Sequence, residues 1–184
     1  MKGIHVDFKT IDLFLLSFMA IGSEVLSNVL MNHYSEAGFF ISFSYLIVLI
    51  ALVRWREKGM FVNVALTIPL VLFSETITVG LVFYYLLTSV FVAVIPFVND
   101  KVSHFLRRKS YLDMAVTFYL VTLFARGVFS FLIGLTPIEA IQQTMLQLNF
   151  SVLISGLVLL LLKNTEGLLV NLVDSNEDSV EVVE

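Results

Sequence analysis

The sequence predicts an all-α fold: an integral membrane bundle of six transmembrane helices with both termini cytoplasmic. Three observations predict it. First, 58% of the 184 residues are hydrophobic and only 14% are charged, with a mean hydropathy of +0.94. A soluble domain carries about 25% charged residues, so this chain lacks the polar surface to wrap a water-soluble globule. Second, six apolar runs approach the roughly 20 residues that cross a bilayer. Third, every Lys and Arg except Arg126 falls in alternate loops or the terminal segments.

Taken in order, the runs are Ile11–Leu30, Phe39–Val53, Met60–Phe73, Gly80–Val98, Tyr111–Leu135 and Thr144–Leu162. The first begins without a short apolar segment and a small-residue cleavage site, so it reads as a span rather than a cleaved signal. The second and third are short and must borrow flanking residues such as Arg54, Trp55 and Ser74. Pro69 interrupts the third, which predicts a tilted or broken helix there. None of the runs sustains the alternation of a membrane β-strand. Residues 1–173 form the membrane domain on this reading, and 174–184 ("DSNEDSVEVVE") form an acidic solvated tail.

The loops set the orientation. With the N-terminus inside, Lys2, Lys9, Arg54, Arg56, Lys58, Lys101, Arg107, Arg108, Lys109 and Lys163 all fall on the cytoplasmic side. The opposite loops, Met31–Gly38, Ser74–Val79 and Thr136–Gln143, contain neither Lys nor Arg. The basic stretch "NDKVSHFLRRKS" is suited to lie along anionic lipid or against a partner.

Two charges lie deep inside the spans, away from their inner ends. Arg126 lies about 22 Å up the fifth helix from its inner end and Glu24 about 20 Å up the first, at 1.5 Å per residue. A central Arg costs about 2.5–3.5 kcal/mol to insert, and intramembrane charges pair with one another or face a polar cavity. Two roles stay open for Arg126: a buried salt bridge to Glu24 that fixes packing, or a contact to the anionic group of a small ligand at the outer face. Gln143 and Gln147 share a face near the outer start of the sixth helix. Asn28, Asn32, His33, Tyr34 and Glu36 come from the first outer loop and its approach. Singly these read as solvated caps. As a set, Glu24, Asn32, His33, Tyr34, Arg126, Gln143 and Gln147 would line an outward-facing site for a small water-soluble ligand.

The first helix also carries small residues at helical spacing: Ser17, Ala20, Ser23 and Ser27. Such stripes let helices approach closely in lipid. They serve packing within the chain or docking of a second membrane subunit. Other chemistries find no support in the residues. The chain has no cysteine, hence no disulfide or thiolate metal site. His33 has no HxxxH or HxxE companion, and HExxH, GxSxG and Walker patterns are missing. No catalytic residue, metal, cofactor or nucleic-acid partner is expected, and any active transport would draw on a partner or an ion gradient.

The whole chain resembles the substrate-binding S components of energy-coupling factor (ECF) vitamin transporters. The likeness lies in its size, its six spans, and two stretches. "YLIVLIALVRWREKGMFVNV" (45–64) is similar to their second span, basic turn and third span; "LLKNTEGLLVNLV" (161–173) is similar to the end of their last span and the tail after it. The resemblance implies a subunit of the bacterial cytoplasmic membrane that captures a vitamin or related micronutrient and joins an integral coupling subunit and two cytoplasmic ATPases. It places substrate at the outer helix ends, here Asn32, His33, Tyr34, Arg126, Gln143 and Gln147. Where that family shows Ala-xxx-Ala on the first span, Ala20 is followed here by Glu24. The same architecture resembles the bacterial rod-shape membrane scaffolds, which transport nothing.

Overall fold

The computed structural model describes residues 8–33, 41–74, 76–106 and 111–162. They are helical throughout, with no strand among them: α1 Phe8–His33, α2 Ser44–Trp55, α3 Met60–Ala65, α4 Thr67–Leu72, α5 Val79–Phe91, α6 Ile95–Leu106, α7 Tyr111–Phe129 and α8 Pro137–Leu162. Short 3₁₀ turns at Arg56–Gly59, Val92–Val94 and Ser130–Ile133 join α2 to α3, α5 to α6, and α7 to the loop before α8. Residues 107–110 and 163–184, the acidic tail among them, lie outside the described residues, as do the side chains of 102–106, 111 and 112.

Large apolar side chains face outward around the bundle. Phe14 and Phe18 on α1 are 72% and 71% exposed, and Leu161 on α8 is 80% exposed. Water penalises such a surface and hydrocarbon does not. The protein is membrane-embedded.

Six spans are more than helix length supports. Among the described residues, three helical stretches are long and apolar enough to cross, Phe8–Leu30, Val79–Lys101 and Asp113–Ile133; α8, bent by 47° near Asn149, makes a fourth if it counts as one span. The second and third expected spans differ. α2 has 12 residues, about 18 Å of helix against a hydrocarbon core of about 30 Å. Its return path is split into α3 and α4, six residues each. Pro69 explains the split, because it has no N–H to give the Ala65 carbonyl. The chain turns at Leu66, where the Leu66 N–H bonds Asn63 O at 3.1 Å and the Thr67 hydroxyl bonds Val64 O at 2.5 Å. Pro96 likewise denies Val92 a partner and accompanies the 3₁₀ turn within the Val79–Lys101 stretch.

The α2 arm of this short hairpin forms the core instead of facing lipid, while Phe61, Ile68 and Leu72 of the return arm point outward. Val48, Leu49 and Ala51 of α2 are fully buried, with Leu52 at 1%. They pack with Leu16 and Ala20 of α1, Val62 and Leu66 of the return arm, Phe118 of α7 and Leu148 of α8. The turn is tight because Gly59 permits it: a Cβ there would lie 2.6 Å from the Ala51 carbonyl carbon and the Leu52 nitrogen. Arg56 enters the turn with φ 51°, unusual for a side-chain-bearing residue. Its guanidinium is held by Asp100 of α6 at 2.6 Å.

Two polar tiers stand at different heights along α1. At the first, Asp12 accepts the Trp55 indole N–H at 2.6 Å and lies 3.3 Å from Arg54 Nε. Arg54 Nε has no aligned hydrogen-bond acceptor, so that second contact is an ion pair without a directed bond. Lys9 lies 5.8 Å from the Trp55 ring centroid. This tier thus collects Lys9, Arg54 and Arg56, basic residues that the charge pattern puts on one side. The second tier, about three turns further along α1, contains Glu24.

Candidate functional site

Glu24 is 1% exposed and takes its partners from the entry to α2. Ser42 and Ser44 hydroxyls reach its Oε2 at 2.5 and 2.6 Å, and Asn28 Nδ2 donates to Oε1 at 3.4 Å. The Ser42 backbone N–H donates to Ser151 Oγ of α8 at 2.9 Å, which seats the α2 entry against that helix. The alternation of serines and apolar residues in "ISFSY" (41–45) aims both hydroxyls the same way, while Tyr45 begins the buried face.

Arg126, 5% exposed, sits among α2, α5, α7 and α8. Its Nη1 donates to Gln147 Oε1 at 3.0 Å and lies 3.4 Å from Thr144 Oγ1. The Tyr85 ring faces the guanidinium, 5.5 Å from centroid to Cζ, a cation–π arrangement. The Tyr45 and Tyr84 side chains also lie within electrostatic reach of the guanidinium. Arg126 Nε is buried without any partner.

The expected salt bridge between Glu24 and Arg126 is not formed: the pair is absent from the ion pairs within 4.0 Å among the described residues. The two charges sense each other, and Tyr45 senses both. The physical reason is that α2 lies between α1 and α7 and supplies hydroxyls that occupy Glu24 first.

A cavity opens beside Arg126, lined by Tyr45, Asn63, Tyr85, Thr88, Ser89 and Thr122 and closed by Leu66, Leu70 and Phe118. Some of its polar groups are engaged elsewhere. Asn63 Nδ2 donates to Ser89 O at 3.3 Å and the Thr88 hydroxyl to Tyr84 O at 2.8 Å. Thr122 Oγ1, like Arg126 Nε, is buried and has no partner. The free space here is about 20 Å³, room for one water molecule.

Of the residues expected at the site, Arg126 and Gln147 meet, and Glu24 lies in the neighbouring ring. Gln143 is exposed on α8, His33 is exposed at the end of α1, and neither lines this cavity. Asn32 lies on the last turn of α1 with its side chain outside the described set, and Tyr34 falls outside the described residues. Ala20 and Ser27 of the small-residue stripe are buried inside the bundle, while Ser17 and Ser23 are half-buried. The Ser17 and Ser27 hydroxyls bond the carbonyls of Leu13 and Ser23 on their own helix, each at 2.8 Å.

Sequence reasoning passed over Tyr45, Asn63, Tyr85 and Thr122. Asn63 had a signal, a lone amide within an apolar run. The tyrosines had none, since aromatic residues populate every span. No protein family, curated protein or solved structure matches the chain.

Proposed function

We propose that this chain is the substrate-capture subunit of an ECF-type uptake system in a bacterial cytoplasmic membrane, and that it binds a small water-soluble micronutrient bearing an anionic group. One observation carries the reading. Arg126 borders a polar cavity with a buried N–H that nothing in the fold satisfies. An unsatisfied buried donor costs about 1–3 kcal/mol, more for a charged group, and an anionic ligand would recover it. A planar guanidinium is also the side chain best shaped for a carboxylate or phosphate.

The cavity must open to admit such a ligand, because pockets for organic molecules run to about 300–1,000 Å³. The wall formed by Asn63, Leu66 and Leu70 belongs to the broken α3–α4 arm, which has only half-length helices to hold it. Movement of that arm would join the cavity to the outer side. Energy for uptake would come from an integral coupling subunit and two cytoplasmic ATPases, the partners implied by the resemblance.

A second reading, a non-transporting scaffold of the rod-shape type, is favoured by the small size of the cavity. One experiment separates them. Purification in mild detergent followed by native mass spectrometry is expected to show a bound small molecule and a complex with ATPases. A ligand-free protein recovered with cell-wall or cytoskeletal proteins, and insensitive to a vitamin panel in thermal-shift assays, overturns the transport reading.

A further inference from the structure

The Glu24 ring has an internal shortage of hydrogens. Glu24 Oε2, Ser42 Oγ and Ser44 Oγ form a triangle with sides of 2.5, 2.6 and 2.8 Å. Each side is a hydrogen-bond distance, so each needs one hydrogen between its oxygens. A serine hydroxyl supplies one hydrogen and an ionised carboxylate supplies none. Two hydrogens therefore face three contacts. If both serines donate to Glu24, the 2.8 Å contact sets lone pairs against lone pairs. If one serine donates to the other, a shorter contact to the carboxylate is left bare.

Among the described residues, the neighbouring backbone and amide donors point to other acceptors or lie outside the three contacts. The Ser42 N–H goes to Ser151 Oγ, and the Ser44 N–H goes to Ser42 Oγ at 3.2 Å. Asn28 Nδ2 reaches the other carboxylate oxygen and the Glu24 carbonyl. The surrounding charges are equally few. From α2 there is Tyr45 and from α7 Arg126, both within electrostatic reach, with no ion pair to the latter within 4.0 Å. Tyr84 and Tyr85 of α5 face Arg126 instead. α3 and α4, which also pack on α1, carry no titratable side chain.

We propose that Glu24, Ser42 and Ser44 form a buried proton-binding site in which Glu24 carries the third hydrogen. The hydrogen on Oε2 donates to one serine, that serine to the other, and the second back to the carboxyl group, so all three contacts are satisfied in one direction around the ring. The proton comes from water and returns to it. Release would place a negative charge beside Tyr45 and Arg126 and break one side of the ring, which would loosen the α2 entry from α1. The site stands whether or not the Arg126 cavity takes a ligand.

Infrared spectroscopy of the full chain in lipid nanodiscs at pH 7 tests this directly. A protonated carboxyl group shows a C=O stretch separate from the carboxylate bands, and its response to substitution at Glu24 or Ser44 assigns it to this ring. The band is expected in the wild type, absent in Glu24→Gln, and moved to higher frequency in Ser44→Ala, which removes one partner of the acid. Its absence from the folded wild-type protein overturns the proposal, as does a band that both variants leave unchanged. The wild-type measurement decides even if Glu24→Gln fails to fold.

Discussion

Arg126 shows how a membrane-buried cation is accommodated without a carboxylate clamp. Its charge is met by an amide oxygen, a hydroxyl and a ring face, with the phenols of Tyr45 and Tyr84 within electrostatic reach. Each is a modest partner, and together they replace the salt bridge that equal depth along two helices suggested. Breaking a fully buried ion pair costs about 3–5 kcal/mol, and such a pair gives a double-mutant coupling of about 0.5–3 kcal/mol. Glu24→Gln and Arg126→Gln are instead expected to act almost independently, with coupling under about 0.5 kcal/mol in a thermal-unfolding cycle. Tyr85→Leu removes the ring face and is expected to destabilise by about 1–2 kcal/mol. If the cavity binds an anion, Arg126→Lys should weaken that ligand about tenfold to hundredfold while leaving Tm nearly unchanged, since it retains charge but not the planar fork. Isothermal titration with the ligand identified by mass spectrometry reads that difference.

At the scale of elements, the α2–α3–α4 hairpin departs most from a simple membrane span. Its residues are as apolar as those of the longer helices, but those of α2 are covered by protein, while the return arm still turns Phe61, Ile68 and Leu72 outward. The Arg56–Gly59 turn fixes its length, and Gly59 lets the return arm approach the α2 backbone. Gly59→Val is expected to cost about 3 kcal/mol through overpacking, seen as a lower Tm and a smaller folded fraction in detergent. Gly134 plays a different part, ending the Ser130–Ile133 turn at φ 72° with open space around its Cβ position. Gly134→Ala should therefore cost only about 1 kcal/mol, the conformational penalty alone. The break at Pro69 is legible in the amino-acid sequence, because a missing N–H acts locally. The burial of α2 is not, since a short apolar run reads the same whether its neighbours are lipid or helices.

Across the whole molecule, the chain has no cysteine, so introduced cysteines report orientation cleanly. Lys58→Cys is expected to label only from the cytoplasmic side and Gln142→Cys only from outside, read with a membrane-impermeant maleimide on intact cells and on inverted vesicles. Labelling of both from one side would overturn the N-inside arrangement that the loop charges predict. The two polar tiers on α1 would then lie near opposite faces of the membrane. The Asp12 tier meets basic residues at one end, and the Glu24 tier meets the Arg126 cavity nearer the other.

The sequence set the start of the last helix at Thr144, where α8 already begins at Pro137. It alone nonetheless determined the solvent in which this protein folds, the break at Pro69 and the two deep charges that need an explanation. These follow from composition, from proline and glycine, and from the cost of burying charge, all of which act through single residues or near neighbours. It also placed Gln147 near Arg126, because depth along antiparallel helices can be counted. Only the tertiary structure decided what each charge touches. Ser42 and Ser44 reach Glu24 because α2 enters beside α1, and Tyr45 and Tyr85 reach Arg126 because their helices turn those faces inward. Depth is set by residue count, but partnership is set by rotation and by which helix lies between, and these depend on the packing of the whole bundle.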